Sequence, residues 1–422
     1  MRRVLLGVAT AGAIAGAAST ATAVYFARQV VVPKTKRTED LPIHRVVQDS
    51  DGSLLIELPV SARTSAPGRY SVWFANGSGH ACIGKVVSTD HAAGTVTRLV
   101  ERVDSGDLST ARAGIWSGYV YPTADTVGLD YVDVAIPVEN GVAPAWQFTP
   151  QEASDGPDTW AIHIHGMGGS KAGALRGVPV AHRLGYTSLV VSFRNDGEAP
   201  ASPDRRYHLG QSEWHDVDAA VSYAVAHGAS YVVLFGWSLG GSIALQLTTL
   251  SEHRDRIAGL VLDAPVIDWT STLIANARSS MLPRKIADLG LRVLGSPQLC
   301  WIAGLEAALN FPTLNWLARV AEVRAPVLVI HSEGDRSTPF AVSRELANRR
   351  PELVTLVKFP AVEHTQEWNV DPEGWEAAVF SWIRDRYTLS VSGPTGVLRR
   401  TPATSELGPR PHTFTHGNDE KR

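Results

Sequence analysis

The stretch that decides the fold is LFGWSLGGS, residues 234–242, just past the middle of a 422-residue chain. An apolar run leads into Ser238, which stands between Gly236 and Gly240, and a helical pattern begins directly after the serine. This G-x-S-x-G pattern predicts a sharp strand-to-helix turn that pushes the serine hydroxyl out at the end of a strand. Such a turn is strained, and glycines beside it avoid clashes between side chains and backbone. In a chain with 37 glycines the five letters alone are a weak signal, so the surrounding sequence has to decide.

From about residue 158 onward, the sequence alternates between apolar strand-like runs and helical runs. The strand-like runs are nearly continuous in apolar residues, which is typical of parallel strands covered by helices on both faces. They are WAIHIHG, TSLVVSF, YVVLFGWS, IAGLVLDAPV, APVLVIHSEGD and LVTLVKFP. The alternation predicts an α/β protein with a mostly parallel, doubly wound sheet. Residues 268–324 interrupt it with a largely helical stretch, which we expect to form a cap over the carboxyl ends of the strands or an extra packing layer.

A serine hydroxyl becomes a nucleophile when a base takes its proton, so a histidine and a carboxylate are expected close to it. In the predicted sheet they follow later strands, in the order serine, acid, histidine. Asp335 comes after the strand-like run VLVIHS and His364 after TLVKFP, so both lie just past the carboxyl ends of strands. We predict that His364 accepts the Ser238 proton and that Asp335 orients the imidazole. Asp263, which ends the run IAGLVLD, is the alternative acid.

The same chemistry needs hydrogen-bond donors for a developing oxyanion. The N–H of Leu239 directly follows the serine, and the loop HGMGG after an earlier strand supplies a second donor, for which we predict Met167. His163 and His165 suggest part of a metal site, but no further ligand follows at a suitable spacing, and we predict no metal. The loop also lacks the spacing of a phosphate-binding loop, and we predict no cofactor.

The overall composition limits the partners. The formal net charge is −3, which provides no basic excess for binding nucleic acid. The two cysteines, Cys82 and Cys300, are too few for a disulfide framework or a zinc ligand set. The expected partners are a small-molecule or acyl substrate and, through the N-terminal segment, a membrane.

The expectation of a membrane comes from the first 32 residues. An uncharged, apolar run extends from Val4 to Ala27 behind a basic start, and a transmembrane anchor needs about 20 such residues. The motif Ala21-Thr22-Ala23 fits the cleavage site of a signal peptide, and a buried core helix is a third alternative. We expect a membrane-anchored protein with an extracytoplasmic catalytic domain, and a secreted protein is the alternative.

Four regions follow from these patterns. Residues 1–32 form the anchor or signal peptide, and residues 33–126 form a linker and a β-rich N-terminal region with short strands that end at Gly, Asn or Asp. Residues 127–388 form the main α/β domain, with the cap at about 268–324. Residues 389–422 are rich in Pro, Thr, Arg and Gly and are predicted to be disordered.

Together, these motifs make residues 131–387 resemble the α/β-hydrolase superfamily. The resemblance is carried by the turn GWSLGG, the loop HGMGG, the acid loop EGDRSTP and the histidine loop VEHTQEW. Within the superfamily, the chain looks like the serine aminopeptidase-like and prolyl-oligopeptidase-like branch and like membrane-anchored actinobacterial hydrolases of undefined substrate. Residues 45–126 fall outside the superfamily pattern, and the lack of a propeller-sized domain in the sequence counts against oligopeptidase activity.

The resemblance implies an α/β-hydrolase fold and hydrolysis of an ester, thioester or amide without a cofactor. We therefore expect a serine hydrolase that cleaves an ester or related acyl bond through an acyl-enzyme on Ser238. A peptidase or an acyltransferase with the same triad is the alternative, because these activities share the machinery. A catalytically inactive binding protein of this fold is a further alternative, and the presence of Ser238, Asp335 and His364 argues against it.

Overall fold

The computed structural model describes residues 19–33, 38–151 and 158–387. Residues 389–422, predicted to be disordered, lie outside the described residues, as do residues 1–18 of the predicted anchor or signal peptide. The described chain contains two β-sheets. The first is antiparallel and the second is mostly parallel, so the change in sequence pattern corresponds to a change in architecture.

The first sheet forms the N-terminal domain, defined here as residues 38–117, and confirms the predicted β-rich region. Its strands are β1 Leu41–Pro42, β2 Arg45–Gln48, β3 Leu54–Pro59, β4 Tyr70–Phe74, β5 Gly79–Asp90, β6 Thr95–Ser105 and β7 Ala113–Ser117. They pair antiparallel in the spatial order β1-β7-β4-β5-β6-β3-β2. In the first half of β6 every second residue is buried, as expected for a sheet with one covered face, and these residues are Val96, Arg98 and Val100.

The second sheet has eight strands, six of which run parallel. They are β8 Tyr131–Val138, β9 Gly141–Phe148, β10 Thr159–Ile164, β11 Thr187–Val191, β12 Tyr231–Trp237, β13 Ile257–Asp263, β14 Val327–Ser332 and β15 Val354–Phe359. Their spatial order is β15-β14-β13-β12-β10-β11-β9-β8, with β8 and β9 as an antiparallel hairpin at one edge. Strand β10 lies between β11 and β12, so the chain reverses its winding direction there. Sites in such sheets form at the carboxyl ends of the strands beside this reversal.

Helices cover both faces of the second sheet, which confirms the predicted doubly wound α/β-hydrolase fold. The helices are α1 at residues 19–31, α2 Val178–Arg183, α3 Trp214–Ala226, α4 Leu239–Leu250, α5 Trp269–Ser279, α6 Arg284–Gly295, α7 Phe340–Arg349, α8 Glu367–Val370 and α9 Pro372–Tyr387. Helices α3 and α4 share one apolar core with one face of the sheet. Helices α2 and α9 share a second core with the opposite face.

The predicted cap lies between β13 and β14. It begins with α5, whose N-terminus is capped by Asp268 through bonds from the N–H groups of Thr270 and Ser271. Helix α6 follows, but the second half of the cap consists mainly of turns with short 3₁₀ segments, among them Cys300–Ala303. The expectation of a largely helical insertion therefore holds for its first half. Apolar side chains in the turns, such as Leu309 and Trp316, are nevertheless buried in the core.

Helix α1 packs against the cap. Its buried side chains, Ala23, Phe26, Ala27, Val30 and Val31, belong to the main apolar core or adjoin it. Gly290 of α6 allows this approach, because an added Cβ would lie 2.8 Å from Phe26 Cδ1. None of the helices in the described part of the chain is long and apolar enough to cross a membrane.

Candidate active site

Ser238 occupies the sharp turn between β12 and α4. Its backbone angles, φ 53° and ψ −111°, lie in a strained region for a residue with a side chain. The flanking glycines are both required by their surroundings: a Cβ on Gly236 would lie 2.6 Å from Gly240 O, and a Cβ on Gly240 would overlap Ile164 O. The sequence pattern around Ser238 is therefore explained by the close contact of β12, α4 and β10.

The three predicted residues Ser238, His364 and Asp335 form one hydrogen-bonded chain. His364, in the loop after β15, accepts from Ser238 Oγ through Nε2 at 2.8 Å. Its Nδ1 donates to Asp335 Oδ2 at 2.6 Å, and Asp335 follows β14. The Asp335 carboxylate is buried, whereas the His364 side chain is one-quarter exposed. This is the geometry in which a histidine can take the serine proton while a carboxylate stabilises the resulting imidazolium.

The surroundings of Asp335 keep it ionised. Its Oδ1 accepts from the N–H groups of Ser337 (2.7 Å) and Thr338 (3.0 Å), and its Oδ2 accepts from Thr338 Oγ1 (2.6 Å). Burial alone would raise the pKa of Asp335, but hydrogen bonds from His331, His364 and Thr338 and the charge of His364 hold it well below its usual range.

His331 and Thr338 are functional neighbours that the sequence reasoning missed. His331 is fully buried, with Nε2 at 3.2 Å from Asp335 Oδ2 and Nδ1 at 2.7 Å from Ser343 Oγ. Two histidines thus share one oxygen of Asp335. The available signal was proximity in sequence, because His331 lies at the carboxyl end of β14, four residues before the acid.

The alternative acid Asp263 does not contact His364. Its Oδ2 accepts from Trp375 Nε1 at 2.8 Å, and its backbone oxygen accepts from the N–H of Ser238 at 3.0 Å. The carboxyl group of Glu367 lies close to it. Burial raises the pKa of both carboxyls, and repulsion from Asp263 and Asp335 raises that of Glu367 further. The raised pKa of Glu367 favours its protonated form beside Asp263.

The two predicted oxyanion donors flank Ser238. Leu239 begins α4, and Gly166, which precedes Met167, is so close to the serine that an added Cβ would lie 3.3 Å from Ser238 Cβ. In the same loop, Gly169 N–H donates to Gly166 O at 3.2 Å. Among the described residues, no acceptor engages the N–H of Met167 or of Leu239. Both amides are therefore available to a substrate oxygen.

The loop that carries Met167 (residues 165–169) is held in place by the side chain of His165. Its Nδ1 lies 2.8 Å from Gly166 O and its Nε2 lies 3.1 Å from Asp196 Oδ2, while its ring stacks on Phe193. Asp196 belongs to the polar loop after β11, so this loop holds His165, and through it the loop of Met167, in position. In the same loop, Arg194 is buried against Asp216.

Comparison with known proteins places this fold and site in a family. The sequence profile of the alpha/beta hydrolase family matches residues 161–394, more than half of the chain. The chain belongs to the alpha/beta hydrolase family. It is accordingly an enzyme of the hydrolase class. Residues 42–117, which make up most of the N-terminal domain, match a domain of unknown function (DUF8805).

Individual relatives of this alpha/beta hydrolase are distant. The uncharacterized protein Rv2307c of Mycobacterium tuberculosis is 25% identical over 262 residues, which cover 60% of this chain and 77% of the relative. A pimeloyl-[acyl-carrier protein] methyl ester esterase of Aromatoleum aromaticum is 27% identical over 168 residues, 31% of this chain and 66% of the relative. Among solved structures, the Pyrococcus furiosus esterase Pf2001 matches with a TM-score of 0.48 and 19% identity over 62% of this chain and 95% of that chain.

One group of side chains in this hydrolase has the composition of a metal site. Ligand atoms of His331, Asp335 and Glu367 lie within 4.8 Å of one another. Donors engage several of these atoms: Ser332 N–H donates to Glu367 Oε1 at 2.9 Å, and Asp335 receives the bonds described above. Glu367 Oε2 has no hydrogen-bond partner among the described residues. His163, of the sequence pair His-x-His, is buried against Phe235, and burial lowers its pKa to about 3.

Proposed function

We propose that this enzyme cleaves a carboxylic ester through an acyl-enzyme on Ser238. The observation that carries the proposal is the continuous chain from Ser238 Oγ through His364 to the ionised Asp335. A serine is activated by a base in hydrogen-bond reach when a third group orients that base. The relative named a pimeloyl-[acyl-carrier protein] methyl ester esterase supports an ester as the bond attacked.

The first half of the reaction forms the acyl-enzyme. Ser238 Oγ attacks the carbonyl carbon while its proton passes to His364 Nε2, and Asp335 stabilises the imidazolium through Nδ1–H. The negative charge on the former carbonyl oxygen is stabilised by the N–H groups of Leu239 and Met167. When the intermediate collapses, the bond to the alcohol oxygen breaks and His364 returns the proton to the leaving alcohol.

The second half releases the acid. A water molecule gives a proton to His364 Nε2 and attacks the acyl carbon, and the resulting oxyanion occupies the same two amides. Collapse breaks the bond to Ser238 Oγ, which recovers its proton from His364. Neither half requires a redox or metal partner, because only protons and an acyl group move.

A fluorophosphonate probe tests this proposal. It reacts with an activated serine by forming a phosphorus–oxygen bond and releasing fluoride. We expect wild-type protein to be labelled and Ser238→Ala to be unlabelled, with hydrolysis of p-nitrophenyl acetate reduced roughly 10⁴-fold or more. Ser242→Ala, which changes a buried serine four residues away, is the matched control and should still be labelled. Folded wild-type protein that resists the probe would exclude the mechanism.

The location of the enzyme is a separate proposal. We propose that the apolar residues ahead of the buried part of α1 hold the protein at a membrane with the catalytic domain outside the cytoplasm, because residues 4–22 are uncharged and largely apolar and burial in the protein core begins at Ala23. Full-length protein should then remain in the membrane fraction after alkaline carbonate extraction. Mass spectrometry of the N-terminus provides the contrary outcome, because cleavage after Ala23 would instead indicate a secreted protein.

A further inference from the structure

We infer that the N-terminal domain, which has no assigned function, positions the catalytic histidine and that the activity of the enzyme therefore depends on this domain. The contact runs from Arg98 in the domain to a loop at residues 61–69, then to Asn369, and through Arg176 to the turn that carries His364. The inference rests on the proposed function, because that proposal gives His364 its role. Arg98, Asn369 and Arg176 act in it as positioning residues.

Asn369 is the point at which the two parts of the chain meet. It is completely buried in α8, and its Nδ2 donates to Arg69 O at 2.7 Å and to Gly118 O at 2.9 Å. Its backbone oxygen accepts from Arg69 N at 2.8 Å. Its Oδ1 accepts from Arg176 Nη1 at 2.5 Å. All polar atoms of the side chain are thus satisfied. Three of the four bonds of Asn369 cross to the N-terminal domain or to Gly118, the residue that follows it.

Arg176 links Asn369 to the catalytic turn. The same Nη1 donates to Thr365 O at 2.8 Å, and Thr365 directly follows His364. Thr365 has φ +58°, a conformation that a β-branched residue adopts only when its surroundings hold it. Arg176 itself is buried away from solvent, so its position is set by its hydrogen-bond partners in the protein. The backbone beside His364 is therefore held in a strained state by bonds that include the domain contact.

On the other side of the contact, Arg98 fixes the loop that meets Asn369. Arg98 is completely buried, and its guanidinium donates to the carbonyl oxygens of Thr64, Ala66, Gly68 and Gly84. Within the described residues it has no carboxylate as a hydrogen-bond partner, and burial lowers its pKa to about 10. Burying the guanidinium of Arg98 is unfavourable, and its hydrogen bonds to the loop carbonyl groups offset this. These bonds hold the loop at residues 61–69 in one conformation.

The loop also fits α8 too closely for any side chain at Gly68. This residue has φ +95°, and an added Cβ would overlap Asn369 O and lie 2.8 Å from Val370 O. The backbone of the N-terminal domain thus lies directly on the helix that continues the histidine loop. By contrast, Gly94 in the turn before β6 has φ +69° and no atom within 4 Å of an added Cβ. Both glycines have a positive φ, at which any added side chain would be strained, but only Gly68 is in close contact with α8.

Fluorophosphonate labelling of the full chain, followed over time, tests the inference through two separate quantities. Misplacement of His364 lowers the rate constant of labelling, whereas partial unfolding lowers the final labelled fraction. For Asn369→Asp, which keeps the acceptor for Arg176 but loses both donors to the N-terminal side, we expect a rate constant reduced roughly 100-fold with complete final labelling. Gly68→Ala should behave in the same way, and Gly94→Ala should match wild type.

The outcomes distinguish the alternatives. If Asn369→Asp reacts at the wild-type rate, the inference is wrong although the proposed function stands. If Asn369→Asp and Gly68→Ala both lose a cooperative thermal transition, the contact is a folding element and the inference is also wrong. If wild-type protein is not labelled at all, and so cannot be distinguished from Ser238→Ala, the proposed function itself fails.

Discussion

Asp263 and Asp335 lie at the ends of the neighbouring strands β13 and β14, and both carboxyl groups are buried, yet their surroundings differ. Asp335 accepts five hydrogen bonds, from two backbone N–H groups, one hydroxyl and two histidines. Asp263 accepts one bond from Trp375 and lies beside the carboxyl of Glu367. Donors keep the pKa of Asp335 low, whereas burial raises that of Asp263. A position at a strand end is therefore not enough to make a carboxyl the acid partner of His364. Asp335 contacts the histidine directly, and its donors keep it ionised.

The largest expected effect on kcat comes from replacing Asp335 by Asn, compared with the same replacement of Asp263. Asp335→Asn should lower kcat for p-nitrophenyl acetate roughly 10⁴-fold, because the imidazolium loses its counter-charge and the histidine its correct tautomer. Asp263→Asn should keep kcat within about 10-fold of wild type, because an amide imitates the protonated state of the pair with Glu367. Steady-state kinetics of both folded variants provide the measurement. A large loss in Asp263→Asn with little change in Asp335→Asn would reverse the assignment.

A smaller effect should follow from removing one donor to Asp335. Thr338→Val preserves the shape of the side chain but deletes the hydroxyl that donates to Oδ2 at 2.6 Å. A hydrogen bond to a charged group contributes about 1.5–3 kcal/mol, so we expect kcat to fall roughly 10- to 150-fold. Thr338→Ser retains the hydroxyl and should recover most of the activity. Equal rates for the valine and serine variants would show that Asp335 does not depend on this donor.

The smallest effect concerns the partner of Asp263. Because burial and nearby carboxylates raise the pKa of Glu367, the folded protein keeps a proton that the unfolded chain releases above about pH 4.3. This contribution to stability falls as pH rises from that value towards the raised pKa of the folded state. Glu367→Gln removes the dependence, so its free energy of unfolding relative to wild type should increase between pH 5 and pH 8. The slope is at most about 1.4 kcal/mol per pH unit.

Urea denaturation of both proteins at several pH values measures this difference. A difference between Glu367→Gln and wild type that stays constant across the range would mean that Glu367 is already ionised in the folded protein.

The sequence was sufficient for the parts of the site that depend on order along the chain. Ser238, Asp335 and His364 each follow an apolar strand, and parallel strands bring their carboxyl ends together whatever the loops contain. The fold class could be predicted for the same reason, because the alternation of strands and helices is a local pattern.

The supporting residues could not be found in this way. Asn369 is bonded to Arg176 and to Arg69 across separations of 193 and 300 residues. No local pattern predicts such pairs, since they depend on how the N-terminal domain rests on the main sheet. The second half of the cap failed as a helix prediction for a related reason: its apolar residues, such as Trp316, are buried by tertiary contacts without helical hydrogen bonding.

Helix α1 has a consequence for the design of shortened proteins. Removing a predicted anchor or signal peptide is common practice before expression, and a chain beginning at residue 33 would lose Phe26, Val30 and Val31 from the core. Full burial of each such side chain contributes about 1.5–3 kcal/mol. The truncated protein would also present the vacated face of α6 to water, beside Gly290. A soluble version is better started before residue 19, with the apolar residues ahead of it substituted by polar ones.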